Sequence, residues 1–180
     1  SARNLHDIAI VGAGMVGAAL ALALAHEEFD VAVIEPRAPT PWKPQDEVDL
    51  RVVALAPSSV DLFVRLNVWM EIVSARASAY RRMRVWDALA PGELAFDAAD
   101  EGCAALGYIV ENRLIQYALW QALQREPRIT LHCPGTVVAT DATPDKRTMT
   151  LDDGSTITAK LVVAADGADS ALREMVGIGT

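Results

Sequence analysis

At 180 residues, with 52% hydrophobic and 22% charged side chains, the chain has the composition of one ordinary globular domain, large enough to bury a core and far from disordered or collagen-like extremes. Its 24 acidic residues against 16 basic ones give a net charge of -8, which excludes nucleic acid as a partner because phosphate binding needs clustered Lys and Arg. The nearest cluster, Arg81, Arg82 and Arg84, reads as a solvated strand edge.

In chain order, the apolar run Ile8 to Val11 reads as a fully buried parallel strand, Met15 to His26 as a helix and Val31 to Ile34 as a second buried strand. Pro36, Pro39, Pro41 and Pro44 then forbid regular structure as far as Asp49-Leu50-Arg51. A helix is expected to resume near Ser58 or Ser59, either of which can cap it, with Val60, Phe63, Val64, Val68 and Trp69 facing inward. Arg82 to Trp86 and Leu94 to Phe96 form a small antiparallel excursion around the turn signal Pro91-Gly92.

Asn112 is placed to cap a helix over Arg113 to Arg125, which Pro127 ends. Short strands follow at Ile129 to Leu131 and Val137 to Ala139, then a hairpin of Met149 to Leu151 and Thr156 to Thr158 around Asp152-Asp153-Gly154. A last buried strand, Leu161 to Ala165, runs into Asp166-Gly167, and a helix begins near Ser170.

Cys103 and Cys133 lack metal or redox spacing and read as two buried free thiols; His6, His26 and His132 are isolated, so no metal is expected. Trp69, Trp86 and Trp120 read as core residues. Met15 to Leu24 is too short for a bilayer, which takes about 20 apolar residues. With no sign of a signal peptide, a cytoplasmic location is expected.

Gly12-Ala13-Gly14-Met15-Val16-Gly17 matches GxGxxG between a strand and a helix, where the match has physical meaning. Gly12 permits the tight turn, Gly14 lets a pyrophosphate approach the backbone at the helix N-terminus, and Gly17 lets helix and strand pack closely. Glu35, 18 residues after Gly17, ends the second strand where a carboxylate can bind the adenosine ribose. This unit binds a dinucleotide and by itself does not separate FAD from NAD.

Asp49-Leu50-Arg51, Leu106-Gly107-Tyr108-Ile109-Val110-Glu111-Asn112 and Ala165-Asp166-Gly167-Ala168-Asp169-Ser170 with Arg173 resemble the successive signatures of the flavin-dependent aromatic hydroxylases. Tyr80 to Met83, Tyr117 to Leu123 and Met175 to Gly179 resemble most the ubiquinone-biosynthesis branch, among its members those acting on a late, prenylated quinol. The resemblance implies an α/β, Rossmann-like FAD-binding fold over residues 1–180 with a parallel sheet, residues about 80–110 being a partial β excursion toward a substrate domain. It implies bound FAD, NAD(P)H as reductant and O2 as the source of the hydroxyl.

Carried over by position, Gly12, Gly14 and Gly17, with the backbone of Met15 and Val16, would cradle the pyrophosphate, and Glu35 would hold the ribose. Arg51 would approach the ribityl-phosphate region, and Asn112 stands where many relatives have Arg or Gln reaching the ribityl chain. Asp166 and Gly167 would serve the dinucleotide and help NAD(P)H dock. The plain alternatives are an Arg51 pair with Asp49 or Glu47, a helix cap at Asn112 and a turn residue at Asp166. No side chain stands out as a catalytic acid or base.

Family members are longer, and their second flavin motif and the rest of their substrate domain are expected beyond Thr180. This stretch alone would therefore be inactive and prone to self-association. The whole protein is expected to meet other ubiquinone-biosynthesis proteins and to touch the inner membrane peripherally. Two rivals stand beside this reading: an NAD-dependent dehydrogenase, and a non-catalytic flavoprotein-like subunit of a biosynthetic complex.

Overall fold

Four successive apolar residues, Ile8 to Val11, are buried on both faces only if strands flank them in a covered parallel sheet. In the computed structural model, which describes residues 5–89 and 91–179, that is their setting. β1 (Leu5–Val11) has β2 (Val31–Ile34) on one side and β11 (Thr156–Ala164) on the other, both parallel to it. The crossover from β1 to β2 is α1 (Met15–His26), whose buried residues Gly17, Ala18, Ala19, Ala21, Leu22 and Ala25 are mostly small.

The chain folds into two compact units, one running up to Pro41 and resuming at Gln116, the other Trp42–Ile115. The first holds a six-stranded sheet in the order β8-β2-β1-β11-β10-β9. β8 (Ile129–His132) is parallel to β2, while β9 (Val137–Ala142) and β10 (Arg147–Leu151) are antiparallel neighbours. Ala9, Val11, Ala32, Ile34, Val137, Met149, Leu151, Ile157, Ala159 and Leu172 pack into one core cluster.

β11 corrects the sequence reading at the end of this sheet. The hairpin arm Thr156 to Thr158 and the strand from Leu161 are one continuous strand, because nothing between them breaks an extended chain. Its first residues pair antiparallel with β10, and Leu161 to Ala164 pair with β1. Nor is that second half buried: Leu161 is 56% exposed. At the tight turn of the hairpin, Gly154 takes φ +83° as the Asp-Asp-Gly signal requires.

The second unit contains β3 (Val52–Leu55), α2 (Pro57–Arg65), α3 (Trp69–Arg76), β4 (Ala77–Tyr80), β5 (Arg82–Trp86), β6 (Glu93–Asp97) and β7 (Gly107–Glu111). They form an antiparallel sheet β3-β7-β4 and a separate ribbon β5-β6. α2 starts with Pro57 at its first turn and Ala56 at the cap, so neither Ser58 nor Ser59 caps it. It also ends sooner than the apolar spacing suggests. Asn67 takes a left-handed φ of +59°, Val68 N–H donates to the Phe63 carbonyl (3.0 Å) and Asn67 N–H to that of Val64 (3.0 Å), the paired bonds of a Schellman stop.

A new helix, α3, therefore begins at Trp69, which is buried and meets Tyr108 edge-on with ring centroids 4.9 Å apart. Val64, expected inside, is exposed on α2. Trp86 is 68% exposed rather than core, because the β5-β6 ribbon has no buried face. Arg82 and Arg84 lie on that ribbon, paired with Asp97 (2.8 Å) and Glu93 (2.6 Å) across the strands. Cys103 is exposed, not buried, and Cys133 is half-buried.

Among the described residues, no group of three or more His, Cys, Asp or Glu could hold a metal ion, and no helix is long and apolar enough to cross a membrane.

Met149 lies at 0% exposure within the core cluster. Met149→Ala in the full-length protein should cost about 2–5 kcal/mol. Urea unfolding measures it, and a loss below about 1 kcal/mol would mean that this face of the sheet is not a packed core.

Candidate dinucleotide site

The carboxyl ends of the parallel strands gather the glycine loop, Glu35 and Asp166 in one place, as the strand order of an open α/β sheet dictates. Gly12 follows β1 with φ +100°, and a Cβ there would strike the Ala165 carbonyl. A Cβ on Gly17 would run into the Gly12 carbonyl oxygen. These two glycines are demanded by the fold itself. Gly14 differs: its φ of -64° and ψ of -178° suit any residue, and a Cβ there would meet nothing within 4 Å. The bare backbone at Gly14 faces open space at the start of α1, where the N–H groups of Met15, Val16 and Gly17 precede the first intrahelical bond, Ala18 N–H to Gly14 C=O (2.9 Å).

Glu35 is built into the loop as well as standing beside it. Its Oε2 accepts the Ala13 N–H (2.7 Å) and its Oε1 the Arg37 N–H (3.1 Å), leaving further lone pairs for a ribose. Its own backbone is clasped by the end of β8 and the segment after it: Glu35 N–H donates to the His132 carbonyl (3.0 Å) and Gly135 N–H to the Glu35 carbonyl (3.1 Å).

A cleft of about 210 Å³ is lined by Gly12, Pro36, Gly135, Thr136 and Asp166, among others. Pro36, Gly135 and Thr136 were not among the site residues expected from the sequence. The signal was available, since a strand parallel to β2 delivers the loop after it to the same sheet end.

Ser170 caps the next helix, α5 (Ala171–Met175), and Asp166 backs that cap. Ser170 Oγ donates to Asp166 Oδ1 (2.5 Å), Leu172 N–H to Oδ2 (3.3 Å), and Arg173 N–H to Ser170 Oγ (3.1 Å). Gly167, at φ +92°, makes the turn between β11 and this cap.

Two named residues lie in the second unit. Arg51 is exposed, its N–H donating to Asp49 Oδ1 (3.0 Å) and its carbonyl accepting the Asn112 N–H (2.9 Å). Asn112 does not cap as expected. It is itself the first residue of α4 (Asn112–Arg125), and its buried Oδ1 has no partner among the described residues.

His132, at the end of β8, keeps a buried Nε2 without a partner among the described residues. Burial holds its pKa below the ordinary value, helped by His6 and opposed by Asp153. Burial likewise pushes the neighbouring Cys133 thiol up, reinforced by the Glu35 charge and opposed by a hydrogen bond from the Ala38 backbone.

A Rossmann-like sheet with a side-chain-free loop at a helix N-terminus and an acid after the second strand defines a dinucleotide-binding protein. Residues 6–180 match the model of the FAD binding domain family, and the chain belongs to that family. It is 44% identical over 96% of its length to 3-demethoxyubiquinol 3-hydroxylase of Escherichia coli (strain K12), and 32% identical over 99% to the mitochondrial ubiquinone biosynthesis monooxygenase COQ6 of Mus musculus. It spans 44% and 40% of those two proteins.

Among solved structures, p-nitrophenol 4-monooxygenase PnpA from Pseudomonas putida DLL-E4 shares the fold at TM-score 0.75 and 22% identity, covering 96% of this chain and 44% of that one. The match to an FAD-binding model over nearly the whole chain disfavours the nicotinamide dehydrogenase reading. The residues present fit FAD: the open space before Gly14 admits a pyrophosphate, and Glu35 retains acceptor capacity.

Gly17→Ala should destabilise the full-length protein by about 1–3 kcal/mol through overpacking against the Gly12 carbonyl. Gly14→Ala should cost no more than about 1 kcal/mol, the difference in capping preference. Equal losses in thermal or urea unfolding would refute this division of roles.

For His132 the sign follows from its lowered pKa. The unfolded imidazole protonates near pH 6.5 while the folded one resists, so stability falls as pH drops through about 6.5 and levels off below the folded pKa. Unfolding midpoints between about pH 7.5 and 5 should show a shallower decline in His132→Gln than in the parent protein.

Proposed function

We propose that the full-length protein is an FAD-dependent monooxygenase that uses NAD(P)H and O2 to hydroxylate the ring of a prenylated quinol in ubiquinone biosynthesis. The observation that carries this reading is the bare, open backbone at Gly14 beside a Glu35-braced loop, in a chain 44% identical to a ubiquinol hydroxylase. FAD, when bound, supplies the redox chemistry by which two electrons from NAD(P)H and one atom of O2 convert a ring C–H into C–OH, the second oxygen leaving as water.

The chain's own residues bind and orient. The N–H groups of Met15, Val16 and Gly17 receive the pyrophosphate at the positive end of α1. Gly12 and Gly17 set the turn that aims them, and Glu35 accepts ribose hydroxyls while bracing Ala13. Asp166 and Gly167 shape the loop after β11 for the dinucleotide and for docking of the reductant. Arg51 offers a cation to the ribityl-phosphate part of the flavin, and Asn112 stands at the position from which relatives reach the ribityl chain. Because a prenylated quinol dissolves in lipid, enzyme and substrate meet at a membrane surface, alongside other ubiquinone-biosynthesis proteins.

Gly14→Val should abolish flavin retention, because a branched side chain fills the space in front of the loop. Glu35→Gln should weaken FAD by about 1–3 kcal/mol, losing one charge-assisted bond while keeping a neutral one. Flavin content and FAD titration read both. The reaction itself is tested by supplying the holoprotein with NAD(P)H and a short-chain quinol; intact flavin with no hydroxylated product would reject the proposal.

A further inference from the structure

The second unit carries an ion pair between a buried carboxylate and a half-buried guanidinium, and both partners also hydrogen-bond to a single surface segment, the proline-rich stretch that ends at Arg51. Glu111, the last residue of β7, is 3% exposed. Its Oε1 receives Arg76 Nη1 (3.0 Å) and its Oε2 receives the Asp49 backbone N–H (2.8 Å). Arg76, the last residue of α3, turns its other nitrogen, Nη2, to the carbonyls of Pro44 (2.7 Å) and Asp46 (3.1 Å), and its guanidinium lies 5.2 Å from the centre of the Trp42 ring. The Asp46 carboxylate is held in turn by Arg113 Nη2 (2.9 Å) and by the Lys43 N–H (3.0 Å). At the far end, the Asn112 N–H takes the Arg51 carbonyl. A stretch whose prolines withhold amide donors is thus pinned from one charge pair at Trp42, Pro44, Asp46 and Asp49, and only then releases the exposed Arg51 side chain.

We infer that Arg76 and Glu111 are positioning residues for Arg51, fixing the backbone from which it reaches the flavin. This rests on the flavin role given to Arg51 above. Removing the Arg76 guanidinium strands the buried Glu111 carboxylate, and removing that carboxylate frees both the guanidinium and the Asp49 amide, so the pair acts as a two-sided latch. Glu111→Gln replaces one of the two accepting oxygens by an NH2 group, which then faces either Arg76 or the Asp49 N–H donor to donor. Lys at 76 keeps a charge beside Glu111, and with it the fold, but lacks the fork that spans Glu111 and the two loop carbonyls at once.

The experiment is FAD titration by fluorescence quenching on the full-length apoprotein carrying Glu111→Gln, Arg76→Lys or Arg51→Met, and the first two combined with Arg51→Met. Thermal unfolding is recorded for each. Glu111→Gln and Arg76→Lys should each raise the Kd for FAD roughly tenfold while unfolding stays cooperative, and neither should raise it further in the Arg51→Met background. A merely structural role predicts the same loss with or without Arg51, and that additive result would overturn the inference. Unchanged affinity in both single variants, with Arg51→Met weakened, would overturn it while leaving the flavin role of Arg51 intact. Unchanged affinity in Arg51→Met would remove that flavin role and the latch's purpose together. If Glu111→Gln does not fold, Arg76→Lys alone decides.

Discussion

The backbones after β1 and β11 and at the start of α1 meet so closely that no methyl group fits between them. A Cβ on Gly12 would enter the Ala165 carbonyl, and one on Gly17 would enter the carbonyl of Gly12. This close approach decides how near α1 comes to the sheet and therefore where its N-terminal amides point. It also brings the chain after β11, with Asp166 and the Ser170 cap of α5, to the same sheet end as the glycine loop. Because the constraint is on main chain, it survives wide sequence change, consistent with a shared fold at 22% identity to a p-nitrophenol monooxygenase.

Around that close approach, polar burial is spent sparingly and on loops. Glu111 and Ser170 are the two buried polar side chains among the described residues. Each holds main chain in or beside a segment that resembles a signature of the aromatic hydroxylases: Glu111 accepts the Asp49 amide, and Ser170 accepts the Arg173 amide while donating to Asp166. A buried polar group is tolerated only when hydrogen-bonded, so each fixes its loop in one arrangement rather than adding net stability. Glu35 does the same from a more open position, binding Ala13 and Arg37 and being clasped by the end of β8 and the segment after it. Site geometry here is loop geometry held by carboxylates.

What the sequence alone determined was whatever rests on local rules. The first βαβ unit appears where it was read, α1 spanning Met15–His26 and β2 Val31–Ile34, with β1 starting three residues earlier at Leu5, because apolar runs and glycines act within a few residues. The Asp-Asp-Gly hairpin and the start of α5 near Ser170 were legible for the same reason. Tertiary structure decided the rest. Asn67 looks like any polar helix residue until the Val68 side chain is buried and the Schellman bonds form behind it, splitting one expected helix into two. Trp86 and Val64 are apolar in sequence yet exposed, since burial depends on which faces other strands and helices cover. Glu111 reads as an ordinary strand-end acid. Its partners Asp49 and Arg76 are 62 and 35 residues away in sequence, a distance across which no periodicity or spacing rule operates and only the folded chain brings charges together.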